Sequence, residues 1–524
     1  MKKTIHILNS LTRITSINHL FFITILPSLS RLTIVIVGSI LYTSCSSSKY
    51  ARINYATHKY SPAQLQADFI IAQKVLQANH PSYYWNNAKT TIDSAFATAK
   101  QQLQNDSLTE IQFKKILSQA ISTINCGHTS VRSSKGYEAY LPTAKIPYIP
   151  VGMRIYSNTM VAAYSLYSKD SALPNGSIIN SINGISASAI ITNLSTTLST
   201  DGTANNFKNI RLTNNFPYYY YQYYGVQQHY IINYIDTAGN TFTKTIKPYL
   251  LPKQDSISKK NSTKVTPLVL PTKEQKKQLK LNAIRRYTID TVLHTATITL
   301  NSFSGGKLPK FYREVFAVIK QNKCTHLILD VRNNGGGTIS NATKLNRYLL
   351  DHKQKFADTC FAVNRFGKYS KYIKHRFYMG LSMLFVTHRR ATGYHFGYFE
   401  RHYDKPKRKN HYSGKVYVIT GGYSFSATTI VLNALVKQAN VITVGEPTGG
   451  GAYGNTAVYI PNITLPNTKL RVRLPLYRLV YNSAVPNTRL GFTPQYYVPP
   501  TPLSIALGKD GKMEKVISLI KGLQ

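Results

Sequence analysis

Two serines stand where a predicted strand meets a predicted helix. Val416–Thr420 is expected to form the strand and Ala427–Val436 the helix, and Ser424 and Ser426 lie in the turn between them. A hydroxyl at a helix N-terminus faces the positive end of the helix dipole, which stabilises negative charge on a nucleophilic oxygen. Serine is also a common N-cap residue. Taken alone, the motif favours a cap over a nucleophile.

Glycine-rich turns follow two other predicted strands. Gly335–Gly337 comes after the strand Leu327–Val331, and Gly449–Gly451 comes shortly after the strand Val441–Val444. Glycines let backbone amides turn toward a ligand, so the first turn suits a phosphate or an oxyanion. A P-loop needs Lys followed by Ser or Thr after its last glycine, and Thr338 does not begin that sequence. Either turn could also be a simple tight or flexible loop.

The elements that position these motifs fall into several predicted regions. Residues 46–140 are expected to be helical, since Ser61 precedes Pro62 in an N-cap pattern and a capping-box spacing begins at Ser107. This region ends at Gly127-His128-Thr129, and an isolated histidine of this kind is usually a surface or core residue.

Residues 141–251 change to short strands with Asn-Gly turns, and the run from Leu173 to Gly184 resembles the central strands of a PDZ domain. Such a module would bind an extended peptide by adding a strand. Six tyrosines in 218–224 suggest either a tyrosine-rich strand surface or a peptide- or glycan-binding face.

Residues 252–286 are rich in Lys, Pro and Ser and are predicted to be a basic linker. From residue 287 to 524 predicted strands alternate with predicted helices, which indicates an α/β core. The aromatic and basic segment 351–412 interrupts this alternation and is expected to be an insertion.

The motifs together, in this order, resemble peptidase family S41, which contains the tail-specific or C-terminal processing proteases and their tricorn-like relatives. The resemblance extends over roughly residues 60–520 and rests on Gly127–Thr129, Asp330–Gly337, Ser424–Thr428 and Gly445–Gly451, with Gly491–Gln495 near the end. It implies an α/β chain: a helical N-terminal domain, a PDZ-like β module and a crotonase-like β/α catalytic core.

The resemblance also implies roles for individual residues. Ser426 matches the nucleophile, and the amides of Ala427 and Gly336 would form the oxyanion hole. One branch of the family uses a lysine base, but Gly451 stands at that position. His128 is therefore the candidate base, because imidazole has a pKa near neutrality. Glu446 is proposed as the third, orienting residue; its alternative is a salt bridge.

The N-terminal 45 residues resemble a bacterial lipoprotein signal. Leu32–Tyr42 is apolar but too short to span a bilayer comfortably, and Thr43-Ser44-Cys45 follows it. Lipid on Cys45 would attach the chain to a membrane of the cell envelope, in the periplasm or at the outer membrane.

Composition excludes several other classes of protein. The formal net charge of +44 would attract anionic surfaces, but the basic residues are scattered and no nucleic-acid recognition motif accompanies them. No CxxC pair is present among the four cysteines, so no zinc site is indicated, and we expect no metal and no cofactor. Free buried thiols at Cys126, Cys324 and Cys360 are favoured over one disulfide among them.

The sequence thus predicts a serine-type endopeptidase that hydrolyses exported or periplasmic polypeptides through an acyl-enzyme on Ser426. The alternative is a binding protein of the same fold, without catalysis, for peptide or lipid ligands. A charge-driven binder of nucleic acid or glycolipid is a weaker third hypothesis. The sequence predicts no oligomeric state.

Overall fold

The computed structural model describes residues 54–166, 173–250, 271–484 and 486–522. The predicted signal segment with Cys45 lies outside these residues. The chain divides into two compact units, Met1–His58 and Lys59–Gln524, and the fold described below is that of the second unit. No helix among the described residues is long and apolar enough to cross a membrane.

The N-terminal region of this unit contains four helices and three short strands among the described residues. Its elements are β1 (Lys59–Tyr60), α1 (Pro62–Asn79), α2 (Lys89–Gln101), β2 (Leu108–Thr109), α3 (Glu110–Ser122), β3 (Val131–Arg132) and α4 (Lys135–Tyr140). Ser61 caps α1 in a capping box with Gln64, and Pro62 is the first helical residue. The predicted box at Ser107 is wrong: Thr109 caps α3, because Leu108 and Thr109 form β2, which pairs with β1, and the helix begins only after it.

The middle region is a small β module covered by helices. Its elements are β4 (Pro147–Tyr148), β5 (Val151–Tyr156), β6 (Thr159–Ser165), β7 (Ile178–Ile182), β8 (Ile185–Ser186), α5 (Ala187–Ser195), α6 (Asn205–Asn214), α7 (Phe216–Tyr224), β9 (Tyr230–Ile235), β10 (Thr241–Ile246) and β11 (Tyr249–Leu250). The strand order is β10-β9-β7-β6-β5, with β8 paired to β7. All of these pairs are antiparallel.

The tyrosine cluster lies in a helix rather than in a strand. Pro217 occupies the first turn of α7, where a missing amide costs nothing. Phe216 and Tyr220, four residues apart, are buried in the core of the module, while Tyr223 and Tyr224 pack partly against it. The tyrosines therefore join a helix to its sheet.

The C-terminal region carries an extended hydrophobic core. Its elements are α8 (Lys273–Ile284), β12 (Arg285–Asp290), β13 (Thr295–Leu300), α9 (Leu308–Gln321), β14 (His326–Asp330), α10 (Ile339–Leu349), β15 (Gln354–Lys355), β16 (Thr359–Ala362), a 3₁₀ turn (Ser370–Tyr372), α11 (Arg376–Val386), β17 (His388–Arg390), β18 (Gly393–His395), α12 (Gly397–Arg401), β19 (Tyr403–Asp404), β20 (Lys415–Thr420), α13 (Ala427–Leu435), β21 (Val441–Gly445), β22 (Gly454–Ala457), β23 (Asn462–Thr464), β24 (Arg471–Arg473), β25 (Tyr477–Val480), β26 (Tyr496–Tyr497), α14 (Pro502–Ala506) and α15 (Gly511–Ile520).

A six-stranded sheet organises this region, in the order β12-β13-β14-β20-β21-β26. Every pair is parallel except β12 with β13. Apolar side chains of α9, α10 and α13 fill one face of the sheet. Val516 of α15 packs with Ile328, Ile419 and Val444 on the other. Helices on both faces bury the parallel strands, which confirms a mixed α/β fold.

The structure differs from the predicted linker in its last part. Residues 251–270 lie outside the described residues, but α8 and β12 occupy 273–290. Thr272 caps α8 in a capping box with Gln275, and no α8 residue is buried. The polar composition that suggested a linker is that of an exposed helix.

The segment 351–412 stands between β14 and β20, which are neighbours in the main sheet. It contributes strands to a second sheet of order β17-β18-β16-β25-β22. Cys360 of β16 is buried there, and Cys126, Cys324 and Cys360 are free thiols.

Candidate active site

Ser426 lies at a sharp turn between strand β20 and helix α13. It occupies the N-cap position, with φ of 59° and ψ of −119°, and its side chain makes no capping hydrogen bond. Positive φ is uncommon for a residue with a side chain, and strain of this kind clusters at functional sites. The Ser426 hydroxyl is therefore not used as a helix cap.

Ser424 has a structural role. Its Oγ donates a hydrogen bond to the Val331 carbonyl at 2.8 Å and accepts one from the Gly421 amide at 3.2 Å. The side chain is fully buried. Ser424 thus joins the turn before α13 to the end of β14.

His128 Nε2 lies 3.0 Å from Ser426 Oγ. The imidazole is buried and packs against the Phe425 ring, with centroids 4.6 Å apart. Burial, then the nearby Arg473 charge and then His80, lower the pKa of His128 to about 3. The imidazole is neutral at pH 7, and in the tautomer that carries its proton on Nδ1 the Nε2 atom can accept the serine proton.

A strand pairing carries His128 to the C-terminal region. β3 begins three residues after His128 and pairs with β24, with Val131 opposite Val472. Helix α1 is fixed to the same region by the buried carboxylate of Asp68, which accepts hydrogen bonds from Thr468 N at 2.7 Å and Thr468 Oγ1 at 2.6 Å. These contacts bring together two residues that are 298 positions apart.

Asp201, in the loop before α6, holds both sides of the site. Its Oδ1 accepts a hydrogen bond from Gly127 N at 2.8 Å, and its Oδ2 accepts one from Gly451 N at 3.4 Å. Burial raises the pKa of Asp201 to about 7, although the two backbone hydrogen bonds act in the opposite direction. Sequence analysis missed Asp201, because its only local signal is an Asp-Gly pair that is typical of turns.

The glycine turn after β14 contacts the serine. Gly336 has φ of 96°, and a Cβ placed on it would lie 2.6 Å from Ser426 Cβ and 2.9 Å from Ala427 N. The Ala427 amide belongs to the first turn of α13, where amides have no intrahelical acceptor. The Gly336 amide, however, donates to Asn334 Oδ1 at 2.9 Å. Both predicted oxyanion residues lie beside Ser426, but in this conformation the Gly336 amide is occupied.

Glu446 does not hold the imidazole. Its Oε2 pairs with Lys512 Nζ at 2.6 Å and with Arg154 at 3.5 Å. His128 Nδ1 is buried and has no hydrogen-bond partner among the described residues. The orienting role predicted for Glu446 is therefore not supported, and its contacts fit the salt bridge that was the alternative.

The comparisons with known proteins give a family for the C-terminal region. Residues 294–498 match the model of peptidase family S41. This chain carries an S41 peptidase domain. The matched range of that domain contains Gly336, Ser426 and Glu446, whereas His128 and Asp201 lie upstream of it. No curated protein matches the chain.

Solved structures resemble the chain as a whole. The match to mature CPAF covers 88% of this chain and 98% of the CPAF chain, with a TM-score of 0.60 and 14% identity. The match to mature CPAF complexed with lactacystin covers 88% of this chain and 99% of that chain, with a TM-score of 0.60 and 13% identity. The match to a photosystem II D1 C-terminal processing protease covers 84% of this chain and 93% of that chain, with a TM-score of 0.38 and 13% identity. At these identities the likeness to CPAF shows that the fold outside the S41 domain is shared as well.

Proposed function

We propose that the chain is a serine-type endopeptidase that hydrolyses polypeptides through an acyl-enzyme on Ser426. The observation that carries this proposal is the 3.0 Å approach of His128 Nε2 to Ser426 Oγ at the N-terminus of α13. A hydroxyl and a neutral imidazole at this distance can act as a nucleophile and its general base.

The proposed reaction has two halves. Ser426 Oγ transfers its proton to His128 Nε2 and bonds to the peptide carbonyl carbon; the C–N bond then breaks, and the leaving amine takes that proton. Water attacks the resulting ester, giving one proton to His128 and then to Oγ as the carboxylic acid leaves. The Ala427 amide stabilises the oxyanion in both halves. The Gly336 amide joins it once substrate displaces Asn334 Oδ1.

A serine-directed phosphonate tests the nucleophile. We expect it to label the wild-type chain and not Ser426→Ala, while Ser424→Ala keeps the label because its hydroxyl is a buried structural group. Ser426→Ala and His128→Ala should each lower turnover at least about 1,000-fold. Labelling that persists in Ser426→Ala, or is lost in a correctly folded Ser424→Ala, contradicts the assignment.

One observation favours a second function, a binding protein without catalysis for peptide or lipid ligands. His128 Nδ1 has no partner among the described residues, so no side chain fixes its tautomer. Saturable peptide binding without phosphonate labelling or turnover would support that function.

The N-terminal sequence supports a further proposal, that the chain is exported and attached to a cell-envelope membrane by lipid on Cys45. Metabolic labelling with palmitate tests it: the wild-type chain should take up label and Cys45→Ser should not. Equal labelling of the two chains contradicts the lipid site. The PDZ-like and crotonase-like assignments stay predictions.

A further inference from the structure

Helix α11 of the 351–412 segment exposes an unusually apolar face. Five of its eleven residues are large, apolar and exposed: Phe377, Tyr378, Leu381, Leu384 and Phe385. The exposed fraction reaches 66% for Phe377 and 79% for Phe385. At 100° per residue these five side chains fall within an arc of about 120°. They form one continuous stripe, which we call the α11 stripe.

The opposite face of α11 is fixed to the protein. Arg376, Gly380 and Met383 are buried, and Arg376 donates hydrogen bonds to Asn364 O at 3.0 Å and Asn364 Oδ1 at 2.6 Å. A Cβ on Gly380 would lie 2.5 Å from the Phe366 ring, so the helix packs closely on the preceding loop. Within the part of the chain that the structure describes, only this face of α11 is buried, and the apolar stripe on the other face stays exposed.

The surroundings of the stripe carry positive charge without counter-charge. Between Asp358 and Glu400 the sequence has seven Lys or Arg residues and no Asp or Glu. Four of these are exposed and form no ion pair with the described residues: Lys368, Lys371, Lys374 and Arg389. They stand before and after α11, and the Phe366–Phe377 ring contact, at 6.3 Å, brings the preceding loop beside the stripe.

We propose that the α11 stripe docks on a membrane surface that contains anionic lipid, with the helix lying in the plane of the interface. Helices that bind in this way combine an apolar face rich in Phe and Leu with flanking Lys and Arg. The helix is about 16 Å long, so it can lie on a bilayer and cannot cross it. A second copy of this chain fits the face poorly, because its basic flanks would meet like charges.

The docking is tested by a reporter placed in the stripe of the full-length chain. Phe385→Trp is compared with Leu503→Trp, which replaces an exposed leucine on α14. Both variants keep Trp85, whose signal is subtracted using the parent chain. With vesicles of brominated phosphatidylglycerol and phosphatidylethanolamine, we expect strong quenching at position 385 and little at position 503. No quenching at position 385, or equal quenching at both positions, overturns the proposal.

A second measurement uses binding itself, with Cys45→Ser as the background so that lipidation does not contribute. In this background Phe377→Ser, Leu381→Ser and Phe385→Ser together should weaken partition to the same vesicles on the order of 100-fold. The matched control, Leu279→Ser with Leu503→Ser and Leu507→Ser, removes three exposed apolar side chains outside the stripe and should bind as before. Vesicles of neutral phosphatidylcholine should bind the parent chain weakly.

The docking proposal is overturned if the stripe variant partitions to anionic vesicles as strongly as its control does. It is also overturned if the parent chain binds neutral vesicles as well as anionic ones. Loss of a dimer in the stripe variant, with vesicle binding unchanged, assigns the face to a second copy instead. Because the stripe is exposed, the melting temperature of the variant should stay near that of its parent. The Trp reporter keeps the proposal testable even if the triple variant fails to fold.

Discussion

Asp201 accepts a hydrogen bond from the Gly127 amide, one residue before the imidazole that contacts Ser426. The same carboxylate accepts the Gly451 amide, so one side chain of the middle region connects the histidine segment to the loop beside α13. Its two carboxylate oxygens bond to these backbone amides and not to Ser426 or to the His128 ring. It is a positioning residue, and its effect on chemistry acts through His128.

Asp201→Asn should lower kcat about 10- to 100-fold with a smaller change in KM, because an amide offers one acceptor to two backbone donors and misplaces His128. Steady-state kinetics on a short peptide measure this. Asp236→Asn is the matched control, since Asp236 also accepts backbone amides, from Ala238 and Asn240, but in an exposed turn of the same module. Equal kinetics for Asp201→Asn and wild type would remove the positioning role.

Asp201 also predicts how stability changes with pH. Its folded-state pKa, about 7, lies above the ordinary value of 3.8 for an aspartate, so the folded state binds the proton more tightly than the unfolded state. This contribution to stability is fully present below pH 3.8 and is lost as pH rises through 7. The melting temperature of wild type relative to Asp201→Asn should therefore fall between pH 5 and pH 8. A constant difference over that range would contradict the raised pKa.

The sequence predicted the parts of the site that local patterns encode. The strand–helix corner at Ser426 and the glycine turn at Gly336 follow from apolar runs and turn residues, and the structure has both. The partners of Glu446 could not be predicted, because Lys512 lies 66 residues away on α15. Asp201 was missed for the same reason: both of its acceptor contacts join distant segments.

The prediction of secondary structure was wrong in two segments whose amino-acid composition gave no indication of which residues are buried. The helix α7 was obscured because tyrosine favours strands, yet the spacing of Phe216 and Tyr220 fits a buried helical face. Helix α8 has no buried residue, so no apolar period revealed it within the predicted linker. Residue propensity is a poor predictor of secondary structure in segments where tertiary packing, or the lack of it, determines whether a helix or a strand forms.

The low pKa of His128 predicts activity that extends to acid pH. The base is active when unprotonated, so kcat/KM should fall only as pH drops toward about 3, rather than near 6.5, the ordinary pKa of a histidine. Replacing Arg473, whose positive charge contributes to the lowered pKa, by Met should move the acid limb to higher pH. An acid limb near 6.5 in the wild-type chain would contradict the lowered pKa of His128.

Glu446→Gln should destabilise the fold without removing the chemistry. Glu446 and Lys512 are both buried, and removing one partner of such a pair leaves an unpaired charge at a cost of about 3–5 kcal/mol. Burial lowers the pKa of Lys512 while Glu446 opposes that shift, so Lys512 should lose its proton more easily in the variant. Denaturant unfolding measures the stability, and kcat is compared at a temperature where both chains are folded.

The double variant Glu446→Gln with Lys512→Met separates the two roles of Glu446. It removes both charges, so much of the lost stability should return. If Glu446 oriented His128 during turnover, kcat would stay low in the double variant although stability recovered. We expect kcat near wild type in both variants.

Gly336→Ala tests whether the glycine turn must lie against the nucleophile. Gly336 has positive φ, and the new methyl group would lie 2.6 Å from Ser426 Cβ, so the serine or the turn has to move. Moving the serine or the oxyanion turn to relieve this contact should reduce kcat at least about 100-fold. Steady-state kinetics measure the loss, and phosphonate labelling is a second readout. Gly184→Ala is the matched control: Gly184 has φ of 78° and no atom within 4 Å of an added Cβ. It carries similar backbone strain far from the contact, so it should lose stability but not turnover. Equal losses of kcat in the two variants would show that strain alone, and not contact with Ser426, explains the effect.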